Sequence, residues 1–189
     1  MNARALALAG MILATALTRL LPHPPNFTAV GAMALFGGAH FRSRGAAFLV
    51  PLAALFVSDA ALQLITDLGL AGGWLAGGTG FYGGMWVVYA AVALVAAVGL
   101  LLRGRRSVPA VAGGVLAGST LFFLVTNFAW WAGYDLYPHT AEGLIQSYLA
   151  ALPFYGRTLL GDACYATVLF GTFALAERRY PALRVRPAS

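Results

Sequence analysis

Asn127, Trp130, Trp131 and Tyr134 stand at i, i+3, i+4 and i+7, so a helix through them would turn one amide and three aromatic rings to the same side. An amide beside flat rings hydrogen-bonds and stacks, which is chemistry for holding a small organic molecule. In hydrocarbon an unpartnered amide is costly, so Asn127 must face other protein or a water-filled space. Two readings stay open for this face: one wall of a ligand pocket, or a helix-to-helix hydrogen bond beneath an interfacial tryptophan belt.

Other polar side chains repeat the pattern. Asp59, Gln63 and Thr66 form a stripe at i, i+4 and i+7, Asp162 shares a face with Thr158, Gly161 and Tyr165, and Arg19 closes the first apolar run. Asp59 and Asp162 would have to be an acid/base pair if this were a membrane hydrolase. No Ser/His or His-Glu-x-x-His arrangement accompanies them, so no catalytic residue is assigned and the chain is not read as an enzyme. His23, His40 and His139 lack metal-ligand spacing, so no metal is expected. The chain has no Gly-x-x-x-x-Gly-Lys-Ser/Thr phosphate loop, and no cofactor is expected.

The elements that must carry these residues are set by composition. The chain has 189 residues, 60% of them hydrophobic and 10% charged, whereas soluble domains carry about 25% charged residues. That composition reads as a single integral membrane domain, residues 1–189, with room for about six spans of roughly 20 residues. The formal net charge of +6 comes from arginines in short clusters between apolar runs, not from one basic face. They read as topology signals and lipid-headgroup contacts, and no nucleic acid partner is expected.

Six spans are predicted: Ala3 to Leu21, Phe27 to Ala39 (short or tilted), Gly45 to Thr66, Met85 to Leu102, Val108 to Trp131 and Arg157 to Leu175. Arg4 and Ala14-Thr15-Ala16 resemble a signal peptide, but the apolar pattern continues to Leu21, so this stretch is read as the first span. Between spans five and six, Leu144, Ile145, Tyr148, Leu149 and Leu152 make one apolar face, which predicts a short amphipathic helix on the membrane surface, capped by Thr140 and ended by Pro153. The fold class is thus an all-α membrane protein of six transmembrane helices with that surface helix.

With six spans, the arginines at 42–44, 103–106 and 178–186 fall on one side, which the positive-inside rule makes cytoplasmic. Both termini are then cytoplasmic, in the inner membrane. Arg19, Asp59, Gln63, Asn127 and Asp162 all belong to the outer half of the bilayer. Together with Asn26, Trp130, Trp131 and the loops carrying His23, Trp74 and Tyr134, they would line a pocket open to the outside. Matching depth fits a binding site or a structural ion-pair network equally. The inner halves of the helices carry almost no charge, which argues against an ion path across the bilayer.

Two stretches carry a resemblance. Ala3, Ala7, Gly10 and Ala14 form a stripe of small side chains on one helix face, similar to the Ala-x-x-x-Ala surface through which substrate-binding S components of energy-coupling factor (ECF) vitamin transporters dock on their coupling subunit. The run Pro24-Pro-Asn-Phe-Thr-Ala-Val-Gly-Ala-Met-Ala-Leu-Phe-Gly-Gly38 also resembles that family. Asn127-Phe-Ala-Trp130 and Leu160-Gly-Asp162 are similar to residues of an uncharacterised family of membrane transport proteins related to it. The resemblance implies a substrate-capture subunit that binds a vitamin or cofactor precursor outside, with a transmembrane coupling protein and ATPases as partners. Solitary cobalamin-binding members use a cysteine on cobalt. Cys164 sits two residues from Asp162, about 200° around the helix, and points away from the proposed pocket. The alternatives are a membrane assembly protein without a ligand or, less favoured, an enzyme using paired aspartates.

Overall fold

The computed structural model describes residues 2–70 and 80–184; Trp74, assigned above to a pocket loop, lies outside them. The described residues are helical, with no strand. Helix α1 (Ala3–Leu17) continues into a 3-10 turn, Thr18–Leu20; α2 (Val30–His40), α3 (Arg44–Asp67), α4 (Met85–Leu101), α5 (Val108–Gly133) and α6 (Ala141–Arg179) follow. Caps expected from the side-chain types are made: Asn2 Oδ1 accepts from Ala5 N at 2.9 Å, and Thr140 Oγ1 from Gly143 N at 3.2 Å.

Helix α2 is the centre. Its eleven residues, Val-Gly-Ala-Met-Ala-Leu-Phe-Gly-Gly-Ala-His, are apolar all round except at the end, and every one of them is buried. A helix without a polar face has no side to give to water, and all five other helices pack against this one. The approach of α4 is closest. A Cβ on Gly38 would fall 2.2 Å from the Ala96 carbonyl oxygen, and one on Gly99 would fall 2.4 Å from that of Leu35. Only glycine permits this backbone contact.

The second predicted span is therefore corrected. Phe27 to Ala29 are not helical, and α2 at 1.5 Å per residue is about 16 Å long, roughly half the hydrocarbon thickness. Among the described residues four helices are long and apolar enough to cross a membrane: Ala3–Leu20, Arg44–Asp67, Val108–Gly133 and Ala141–Arg179; Val30–His40 and Met85–Leu101 are shorter. The amphipathic stretch before span six is not a separate element. Pro153 lies inside α6, which runs unbroken for 39 residues, because proline removes one helical hydrogen bond and its neighbours continue the ladder. Of its expected apolar face Tyr148 meets α5, its Oη donating to the Leu124 carbonyl at 2.7 Å and its ring lying 5.6 Å from that of Phe123, whereas Ile145, Leu149 and Leu152 are exposed and the buried side of the stretch is Gly143, Ser147 and Ala151.

Contacts order the helix ends. Arg4 at the start of α1 bonds Glu177 at the end of α6 and the Leu183 carbonyl. Arg103, after α4, donates to the Gly38 and Phe41 carbonyls at 3.1 and 2.7 Å, closing the C-terminus of α2. The His40 ring packs between Phe36, Phe170 and Phe173 at 4.3, 5.1 and 5.0 Å. This end of the bundle also carries the starts of α3 and α5, and hence Arg42, Arg44, Arg105, Arg106, Arg178 and Arg179. The opposite end holds Arg19, Asp59 and Asp67.

Candidate functional site

Helix α2, with 11 residues against 24 in α3 and 26 in α5, leaves a space above its end. Over the N-terminus of α2 lies a well of about 590 Å³, with Thr28 and Val30 at its base and walls from the other helices: Arg19 from the turn after α1, Leu55, Asp59 and Leu62 from α3, Val88 from α4, Phe122 and Thr126 from α5 and Thr158 from α6. Asn26, from the segment between α1 and α2, and Tyr82, just before α4, complete it. A second lobe of about 440 Å³ shares Asn26, Phe122, Thr126 and Thr158 with the first and continues between α5 and α6 to Phe123, Asn127, Trp130 and Tyr155.

Arg19 and Asp59 are the charged pair of the well. Asp59 is 2% exposed, and its Oδ1 accepts from Arg19 Nη1 at 2.6 Å while its Oδ2 accepts from Tyr89 Oη at 2.7 Å. Arg19 Nη1 also donates to Ser58 Oγ. A buried carboxylate with both oxygens engaged meets its desolvation cost through two strong donors. The hydroxyl of Tyr82 adds a donor. Burial, and after it the charge of Asp59, pushes the phenol up from its ordinary value, so it keeps its proton.

Asn26 adopts φ 63°, the left-handed region that asparagine enters more readily than other non-glycine residues. The turn, closed by Phe27 N donating to the Pro24 carbonyl at 3.0 Å, places Asn26 at the border of both lobes. Gln63 does not reach the well. Its Oε1 accepts from Phe81 N at 3.1 Å and its Nε2 donates to Asp67 at 2.8 Å, so it fastens to α3 the loop that carries Tyr82.

Asn127 borders the outer lobe, with its amide nitrogen donating to the Phe123 carbonyl one turn back at 2.8 Å. Trp130 borders the same lobe and stacks on Tyr134 at 4.2 Å. Trp131 is not brought there: its indole N–H donates to the Pro138 carbonyl at 3.0 Å and its ring meets His139 edge-on. The four-residue aromatic face is thus split, because Trp131 is claimed by the turn into α6.

Asp162 is likewise apart from the well. It is 3% exposed, and its Oδ1 accepts from Ala32 N at 2.9 Å and its Oδ2 from Ser119 Oγ at 2.7 Å, with the Gly31 N–H as a further donor. A carboxylate at the N-terminus of a buried helix satisfies orphan N–H groups and complements the helix dipole. Gly31 makes room for it, since a Cβ there would lie 2.4 Å from Asp162 Oδ2. Cys164, on α6, is exposed and unpaired. Among the described residues no group of His, Cys, Asp and Glu could hold a metal ion.

The sequence reading missed Ser58, Thr126 and the two tyrosines. Tyr89 lies in the least polar helix, where a single hydroxyl leaves no periodic signal, and Tyr82 lies in a glycine-rich loop. A model of DUF6580, a family of unknown function, matches residues 1–183. The chain belongs to DUF6580. No curated protein and no solved structure matches it. Family membership names no substrate for this DUF6580 chain, so its chemistry rests on the two lobes.

Proposed function

We propose that this DUF6580 protein is the substrate-capture subunit of a micronutrient uptake transporter. It binds a small organic ligand, a vitamin or cofactor precursor, in an outward-facing pocket, and a separate ATP-driven coupling module moves it across. The observation that carries this reading is the well: a two-lobed space with a charged pair, hydroxyls and aromatic rings at one end of a bundle whose other end is sealed by Arg103, Arg4 and the His40 aromatic cluster. A cavity confined to one end of a bundle suits binding, not conduction.

In this reading the six helices pass alternately through the inner membrane, with α2 and its preceding loop together making one pass. The arginine-rich end and both termini are cytoplasmic by the positive-inside rule, and the well opens outside. The first turns of α6 project beyond the hydrocarbon, since 39 residues make about 58 Å of helix. Ala3, Gly10 and Ala14 are exposed and Ala7 is partly so, and a Cβ on Gly10 would meet nothing within 4 Å. The stripe is left for a coupling protein, with lipid around the remaining apolar surface.

Native mass spectrometry of the full chain released from gentle detergent tests the reading. A bound small molecule of defined mass that is lost on Asp59→Ala supports it, whereas reproducibly ligand-free protein from cells grown on rich medium contradicts it. Gly10→Leu should abolish uptake while leaving ligand affinity unchanged, because a large side chain blocks close helix approach. Uptake at the normal rate would remove the docking role.

A further inference from the structure

Arg19 bonds Asp59 and Ser58 through Nη1 alone. Among the described residues neither its Nε nor its Nη2 donates a hydrogen bond, and neither is sealed off: the buried side-chain polar atom left without a partner is Arg4 Nε. The Arg19 side chain is 17% exposed and lines the well, so its remaining donors open into that space. Nε–H and Nη2–H point along the same edge of the guanidinium plane and form a two-pronged fork. Such a fork matches two acceptors lying side by side in one plane. A carboxylate offers that pair, and so does a ring nitrogen next to a carbonyl, the edge by which arginine reads guanine.

Charge separates the two ligand types. Arg19 and Asp59 are the charged side chains that line the well, and they already neutralise each other at 2.6 Å. A carboxylate on the fork would add a second anion near Asp59 with no second cation to receive it, whereas an uncharged pair of acceptors takes the same two hydrogen bonds without that repulsion. Shape points the same way. Phe122 borders both lobes, and the outer lobe is walled by the rings of Phe123 and Tyr155, 5.0 Å apart, and by Trp130. Flat walls favour a flat guest.

We propose that the well takes an uncharged, flat heterocycle whose edge carries a carbonyl oxygen beside a ring nitrogen, held by the Nε/Nη2 fork of Arg19. The assignment rests on the capture reading and narrows it to a substrate class. It also gives Asp59 a second role: by neutralising Arg19, it makes the fork select against acids.

Pterin and 6-carboxypterin test the assignment, being flat, fluorescent and different by one carboxylate. Their binding to the full chain in detergent is read by fluorescence polarisation. Pterin should bind at least tenfold more tightly than 6-carboxypterin. Arg19→Lys, which keeps the charge and removes the fork, should weaken pterin tenfold or more, and Asp59→Asn should reverse the preference between the two probes. Equal or tighter binding of 6-carboxypterin by the unaltered protein overturns the assignment without recourse to any variant. Absence of binding by both probes also overturns it. In that case a different small molecule found by native mass spectrometry leaves the capture reading standing, and ligand-free protein removes both.

Discussion

Asp59 and Asp162 are two aspartates on membrane-length helices, nearly equally hidden from solvent, with opposite fates. Asp162 is enclosed by groups that have nowhere else to turn: two backbone N–H groups at the start of α2 and the Ser119 hydroxyl. Asp59 is held by Arg19 and Tyr89, and Arg19 keeps a second edge toward the well. Burial of an acid therefore does not by itself mark a binding site. What distinguishes the two is whether a partner retains unused hydrogen-bonding capacity facing open volume. Asp162 holds the central helix in place, and the short central helix in turn creates the space that Asp59 borders.

The comparison can be broken at several points. Asp162→Ala should have the largest effect, because it strands a buried hydroxyl and two N–H groups at a helix terminus. A loss on the order of 3 to 5 kcal/mol is expected, read as aggregation or a collapse of the melting temperature in detergent. Protein that purifies and melts normally would show that the N-terminus of α2 needs no anion. Gly31→Ala should follow at about 1 to 3 kcal/mol, since the new methyl group must displace the Asp162 carboxylate. Combined with Asp162→Ala it should add little, because the two act at one contact, and full additivity would separate them.

Asp59→Asn should cost stability only on the order of 1 kcal/mol, because Arg19 can turn its charge toward a wet cavity. A loss as large as that for Asp162→Ala would make the pair a structural network and not a site. Asn127→Ala should be the mildest, within about 0.5 kcal/mol in a melting experiment, since its amide returns to its own helix and faces a lobe. Any effect it has should appear in ligand affinity instead, and a large stability loss would mean that Asn127 braces α5.

Much of this molecule was legible before any coordinates. Apolar runs separated by arginine clusters give the helices, and the bounds of α3, α4 and α5 differ from the expected spans by only a residue or two. Run length reads those, because an apolar stretch of 17 to 26 residues stands out against its charged or glycine-rich flanks. It fails on α2, which has only 11 residues and follows an apolar stretch that is not helical. Its length is set by where Asp162 and Arg103 close its two ends, and these lie 130 and 65 residues away from the groups they bond. Pro153 misled for a related reason, since a proline stops a helix only where nothing else holds the chain, and α5 holds it here.

The residue types of the site were likewise readable, and their grouping was not. Arg19, Asn26 and Asp59 border the well and Asn127 and Trp130 the outer lobe, whereas Gln63, Trp131 and Asp162 are engaged elsewhere by Phe81, Pro138 and Ala32. The sequence by itself determines which side chains are too polar for hydrocarbon and so need partners. Only the tertiary structure decides which of them find their partners in protein and which border a cavity. That choice depends on distances between helices far apart in the chain, and no local spacing encodes them.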